Sequence, residues 1–96
     1  MLFELDSNNL QHILIDYPER ENTVSEVESI FDDPNLIIKI GRRRGDEQRF
    51  YAIGMGNSQK VRYVVFTVNN GRTRPISCWP ANRQTPREYY ENIQAK

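Results

Sequence analysis

The side chains in this 96-residue sequence best suited to chemistry are arginines. Arg49, Arg62, Arg72 and Arg74 fall within strand-like runs, and Arg42, Arg43, Arg44 and Lys60 flank them. Residues two apart on a strand share a face, so Arg72 and Arg74 are expected to point the same way. Two guanidinium groups on one face can grip phosphate through a forked hydrogen-bond pattern that lysine cannot copy. Tyr51, Tyr63 and Trp79 are interleaved with them. Arginine beside exposed aromatic rings suits single-stranded RNA, whose bases stack on aromatic faces. The competing reading is a solvated sheet face paired with acidic helices, with the aromatics in the core and the triple arginine a wet loop. The RNA reading requires that guanidinium groups distant in the chain converge on one side of the sheet and leave positive potential uncompensated.

His12 is the only histidine, and imidazole is the side chain whose ordinary pKa lies near neutrality. On a regular helix it falls about 200° from Leu10, opposite the apolar stripe. It is therefore expected to face solvent or a partner, and a proton-transfer role requires its helix to border the basic face. Other chemistries lack their residues. Gly54-x-Gly56 has no third glycine and opens no helix, so there is no dinucleotide fingerprint. One histidine and one cysteine cannot make a standard zinc set, and no nucleophile elbow is present.

The net charge is zero but unevenly spread. Residues 1–34 hold nine acids and one base, Arg20; residues 35–96 hold twelve bases and four acids. Such asymmetry points to a polyanion or an oppositely charged partner, or else to two halves that neutralise each other in the fold. Cys78 is alone, which rules out an internal disulfide and reads as a small core residue. No apolar run approaches the ~20 residues of a membrane span, and the N-terminus carries acids where a signal peptide carries base. These features predict a cytoplasmic protein.

The elements that must hold these residues follow from periodicity. The length suits a single domain, 1–96, burying roughly two-thirds of its unfolded surface. Residues 1–5 alternate like a short strand. Asp6 or Ser7 can cap a helix whose apolar face is Leu10, Ile13, Leu14 and Tyr17, ended by Pro18. Thr23-Val24-Ser25-Glu26 reads as a capping box opening a second helix, with Val24, Val27, Ile30 and Phe31 inward. Residues 36–40, 49–53, 61–68 and 72–79 read as strands, with residues 41–46 a loop, residues 54–58 a turn and Asn70-Gly71 a tight hairpin. Pro75 must lie at an edge or bulge. Thr85-Pro86-Arg87-Glu88 opens a third helix, capped by threonine, with Tyr89, Tyr90 and Ile93 packing on the sheet. Helices grouped around a four-stranded antiparallel meander predict an α+β fold.

From Asn9 onward the sequence resembles the BrnT-like toxins, within the wider RelE-like ribonuclease fold. The matching pieces, in order, are Asn9-Leu10-Gln11-His12-Ile13, Glu26-Val27-Glu28-Ser29-Ile30-Phe31-Asp32-Asp33-Pro34, Arg44-Gly45-Asp46-Glu47-Gln48-Arg49-Phe50, Ile53-Gly54, Val64-Val65-Phe66-Thr67, Gly71-Arg72-Thr73-Arg74-Pro75-Ile76-Ser77 and Glu88-Tyr89-Tyr90. The resemblance implies the toxin of a type II toxin–antitoxin pair: a metal-independent endoribonuclease with no cofactor, silenced by a small antitoxin of ribbon-helix-helix type, alone or in an oligomer. By position, Arg49, Arg72 and Arg74 match the family's strand arginines and His12 its first-helix histidine. The pattern departs at Cys78-Trp79, where Ala-Arg is usual, and in the link between the first two helices.

On that basis Arg49 and Arg74 are expected to stabilise the pentacovalent phosphorus, with His12 or Tyr89 moving protons. Arg72, Arg62, Lys60 and Trp79 are expected to bind RNA. The alternative is a catalytically inactive module of the same fold that binds RNA or the antitoxin.

Overall fold

The computed structural model describes residues 1–81 and 84–95, without the side chains of Gln84 and Thr85. Asp6 begins the first helix. Its carboxylate accepts the N–H groups of Asn8 and Asn9 at 2.9 and 3.1 Å, and Asn9 Oδ1 accepts the Asp6 N–H at 2.8 Å. Three backbone donors are thus satisfied, the Asp6 and Asn9 pair reciprocally, as in a capping box. Helix α1 covers Ser7–Leu10 and runs on as a wider π-helical segment, Gln11–Ile15. Ile13 is buried as expected, with Leu10 and Leu14 half-buried. The wider turn breaks the 3.6-residue phase, and Tyr17 leaves the apolar stripe to lie exposed. A single 3-10 turn, Pro18–Arg20, follows. The front third is thus helical in short segments rather than as two regular helices.

Helix α2, Val24–Ile30, is capped by Thr23, whose Oγ1 accepts the Glu26 N–H at 3.0 Å. Glu26 does not complete the expected box. Its carboxylate instead accepts the N–H and the hydroxyl of Ser58, each at 2.8 Å, and meets Arg62. The close approach explains Gly56, where a Cβ would stand 2.2 Å from Glu26 Oε1.

The sheet is an antiparallel meander in the order β1-β2-β3-β4: β1 Ile37–Arg44, β2 Glu47–Met55, β3 Val61–Asn69 and β4 Arg72–Pro80. The expected 41–46 loop is instead mostly strand. Arg44 pairs with Glu47, so Gly45, at φ 57°, and Asp46 make a two-residue turn, and the irregularity is a bulge between Ile40 and Arg43. The strands β3 and β4 join through Asn70 and Gly71, both at positive φ as a tight hairpin of primed type demands. Residues 1–5 make one parallel bridge, Phe3 to Thr73, on the outer edge of β4, and no full strand. Pro75 lies beside a bulge: Val65 pairs with Ser77 and Phe66 with Pro75, leaving Ile76 as the extra residue.

Alternation along the strands builds two cores. Ala52, Val64, Phe66 and Cys78 face α1 and α2, packed on Ile13, Val27, Ile30 and Phe31. Ile53 and Val61 face the other way, under helix α3, Gln84–Gln94, with Tyr89 buried and Ile93 beside it. Tyr90 is exposed instead of packed, and the Thr85 cap falls outside the described side chains. The Tyr89 hydroxyl donates to the Asp33 carboxylate, which also accepts the Met55 N–H at 2.7 Å. Helix α3 therefore covers the Ile53 end of its sheet face. The Arg49 end is left for the site.

Candidate active site

Beyond the end of the sheet face that α3 covers, a cleft of about 410 Å³ is lined by Asn8, His12, Arg49, Arg74, Ile76 and Ser77, among others. Three of the residues expected to do chemistry, His12, Arg49 and Arg74, are thus brought together from the π-helical continuation of α1, from β2 and from β4. The β4 bulge makes this possible. Thr67 pairs with Arg74 and Val65 with Ser77; Thr67 and Val65 share a face, so Arg74 and Ser77 share it too, although they are three residues apart. Asn9 fixes the helix to the bulge. It is buried, and its Nδ2 donates to the carbonyls of Glu4 at 2.9 Å and Pro75 at 3.0 Å.

The His12 side chain is 38% exposed, as its place opposite the apolar stripe predicts, and its ring edge reaches β4. Its Nε2 lies 3.3 Å from Ser77 Oγ and its Nδ1 3.5 Å from Asp16 Oδ2. A proton on Nδ1, facing the carboxylate, leaves the Nε2 lone pair toward the hydroxyl and the cleft, which is the arrangement a general base needs. Arg49 Nε is buried and has no hydrogen-bond partner among the described residues, although it is ion-paired with Glu47 Oε1 at 3.5 Å. A buried N–H without a hydrogen bond costs about 1–3 kcal/mol, part of which the Glu47 carboxylate offsets.

Arg74 is differently placed. Its Nη1 and Nη2 donate to the two Asp6 oxygens at 2.6 and 3.3 Å, and Glu4 lies 3.6 Å away. The pair holds the Asp6 carboxyl below its ordinary range, mainly through the Arg74 hydrogen bond, and raises the Arg74 guanidinium through the same bond. Arg74 is fixed in position and its charge is compensated.

The remaining expected residues are not gathered here. Arg62 is a core residue, 1% exposed, its Nε 3.4 Å from Glu26 and its Nη1 donating to Arg20 O and Asn22 Oδ1; it has no surface to offer RNA. Lys60 is exposed and 3.7 Å from Glu21. Arg72 stands at the hairpin tip beside Glu4, Asn69 and Asn70. It lies in phase with Arg74 on β4, but outside the cleft. Trp79 is half-buried and stacked on Tyr63, with centroids 5.5 Å apart and planes at 15°. Tyr89 is on the α3 side, its hydroxyl used by Asp33; burial and that carboxylate raise its pKa far above the ordinary phenol value. A larger recess there, about 500 Å³, is lined by Asp33, Asn35, Met55 and Tyr89. The Asp33 carboxylate is occupied by the Met55, Asn35 and Tyr89 donors, as a structural latch would be.

The expected uncompensated potential is therefore corrected. Arg62, Arg74 and Lys60 each meet a carboxylate from the front third, because the acidic segments pack beside β3 and β4. Arg42, Arg43, Arg44 and Arg72 have no ion-pair partner among the described residues. Sequence reasoning gave no role to Asn9, Asp16, Arg20 or Ser77; the signals available were the place of Asn9 and Ser77 in the matching pieces and the isolation of Arg20 among nine acids. Among the described residues no group of three or more histidine, cysteine, aspartate or glutamate side chains could hold a metal ion, and no helix is long and apolar enough to cross a membrane.

A search of the curated proteins finds no match. Among models of protein families, residues 15–85 match the ribonuclease toxin, BrnT, of type II toxin–antitoxin systems. Asn9 and His12 precede the matched span, whereas Arg49, Arg74 and Ser77 lie inside it. With about three-quarters of its length so matched, the chain belongs to the BrnT family of ribonuclease toxins.

Proposed function

We propose that residues 1–96 form a single toxin domain of RelE-like type, an endoribonuclease that needs no metal and is held silent by a ribbon-helix-helix-like antitoxin. The observation that carries the reading is the cleft in which His12, Arg49, Arg74 and Ser77 converge, with His12 Nε2 toward the Ser77 hydroxyl. These groups supply what cleavage beside a 2′-hydroxyl requires. His12 takes the proton from the 2′-oxygen, with Asp16 steadying the imidazole. The 2′-oxygen bonds to phosphorus, the bond to the 5′-oxygen breaks, and that oxygen takes a proton from solvent. A 2′,3′-cyclic phosphate and a 5′-hydroxyl remain. Arg49 donates to the phosphoryl oxygen as charge builds there, and Arg74, immobilised by Asp6, orients the phosphate.

The second reading, a binding module that does not cut, is favoured by one observation: the doubly bonded Asp6–Arg74 pair leaves the cleft with little net positive charge. RNA cleavage by the purified chain separates the two. Wild-type protein is expected to cut in the presence of a chelator. Loss of the Arg49 guanidinium in Arg49→Ala is expected to slow cutting about a hundredfold, as removal of one charge-stabilising donor does elsewhere. His12→Ala is expected to slow it comparably. Equal rates for wild type and both variants would remove these residues from the mechanism, and an RNA that is bound but never cut would establish the binding module.

A further inference from the structure

Arg20 is the single base in the acidic front third, yet the fold delivers it to the rim of the candidate site. Its Nη1 lies 3.4 Å from Ser77 Oγ, the same oxygen that His12 Nε2 approaches to 3.3 Å, and 3.4 Å from the Cys78 carbonyl. Its guanidinium carbon stands 3.9 Å from the Tyr17 ring centroid and 5.7 Å from that of Trp79. Among the described residues no carboxylate lies within ion-pair distance of it, and its Nε and Nη2 donors have no hydrogen-bond partner. The cleft's other cations differ: Arg74 is held by Asp6, and Arg49 has Glu47 nearby.

The turn that carries Arg20 is built from below. Buried Arg62 donates from Nη1 to the Arg20 carbonyl at 3.0 Å and to Asn22 Oδ1 at 2.9 Å. Asn22 Nδ2 in turn donates to the carbonyls of Cys78 at 2.8 Å and Ile13 at 3.1 Å. A charged side chain is thus set on a braced turn, flanked by rings and with its own charge unmatched. Such preorganisation lowers the cost of binding an anion, and a planar guanidinium fits a phosphodiester better than it fits water alone.

We propose that Arg20 forms a phosphodiester-binding subsite for single-stranded RNA, contacting a backbone phosphate next to the bond that His12 faces. The subsite rests on the RNA reading above and supplies a cation without a carboxylate partner beside the cleft, where Arg74 and Arg49 each have one.

The test is binding of a short 2′-O-methyl oligoribonucleotide, which cannot be cleaved beside its blocked 2′-oxygen, followed by fluorescence anisotropy over a range of salt. Arg20→Ala is expected to weaken binding about tenfold, the worth of one charge-assisted hydrogen bond, and to lower the slope of log affinity against log salt by about 0.7, one phosphate on a single strand. Arg20→Lys should recover the slope but only part of the affinity. Arg87→Ala, on the exposed face of α3, should behave as wild type. If Arg20→Ala fails to fold, Arg20→Gln serves, since it retains a donor toward Ser77 and loses the charge. A folded variant with wild-type affinity and slope overturns the subsite. Arg20-dependent binding by a wild-type protein that never cuts supports the subsite and refutes the nuclease. A wild-type protein that neither binds nor cuts refutes both.

Discussion

Replacing Arg62 should destabilise the protein and affect RNA binding only through the turn that Arg62 braces. The Arg62 and Glu26 side chains are 2% and 7% exposed, their nearest atoms 3.4 Å apart. In Arg62→Met the Glu26 carboxylate keeps its two Ser58 bonds but loses its countercharge, while Arg20 O and Asn22 Oδ1 lose their donor. Breaking a buried pair from one side costs about 3–5 kcal/mol. That is a large share of the roughly 5–15 kcal/mol that stabilises a domain. At about 4–8 °C per kcal/mol for a domain of this size, the melting temperature should fall by at least about 12 °C. Removing the second charge as well, in Arg62→Met with Glu26→Gln, should recover part of the loss, because the uncompensated charge is the larger penalty. Thermal melts of the wild type, the single variants and the double variant form the cycle that isolates this coupling. Oligonucleotide titrations at a temperature where Arg62→Met remains folded should give the wild-type salt slope, since a guanidinium this buried neutralises no phosphate, with the affinity itself weakened because the turn that carries Arg20 has lost its brace. A variant that melts like wild type but binds RNA with a reduced slope would refute the argument and return Arg62 to the interface.

Tyr89→Phe should remove one donor from Asp33 and cost about 1–3 kcal/mol in chemical denaturation, with RNA cleavage unchanged; a loss of rate without a loss of stability would make Tyr89 part of the chemistry. Cys78 is fully buried and burial pushes its thiol up to about 12. At pH 8 the folded protein should therefore resist iodoacetamide and react quickly only in denaturant, as mass spectrometry would record; rapid alkylation of the native chain would mean that the β4 core opens readily.

The sheet was legible because its signals are local. Asn70-Gly71 fixes one hairpin, the run at 61–68 is dense in β-branched and aromatic residues, and Pro75 had to stand at an edge or a bulge, both of which β4 provides. The Arg42, Arg43 and Arg44 run was misplaced because three charges look like a loop, whereas Gly45-Asp46 suffices to turn the chain and leaves all three on β1. The site was harder to read. His12, Arg49 and Arg74 were visible as residue types, but strict alternation sets Arg74 and Ser77 on opposite faces, and only the extra residue at Ile76 reverses this. The partnership of Glu26 with Arg62 was hidden by a better local explanation: threonine followed three residues later by glutamate suits a cap, and nothing in the local pattern reveals that the carboxylate turns inward instead.

The split of charge along the sequence acts in the fold in a way that its sign alone does not convey. Glu4 and Asp6 meet Arg74, Glu21 approaches Lys60 and Glu26 lies on Arg62, so the front third spends its acids on the strand cations that seemed most available to RNA. Asp6 does this while capping α1, so one side chain both starts the helical segment that leads to His12 and immobilises Arg74, another lining residue of the cleft. The lone base of the same segment runs the other way: Arg20 reaches the site unpaired, beside the hydroxyl that His12 faces. A polyanion approaching this cleft would therefore be met by a cation from the acidic part of the chain, while the basic part contributes side chains already held in place. The wall of the site depends on the front segment for both its geometry and its free charge.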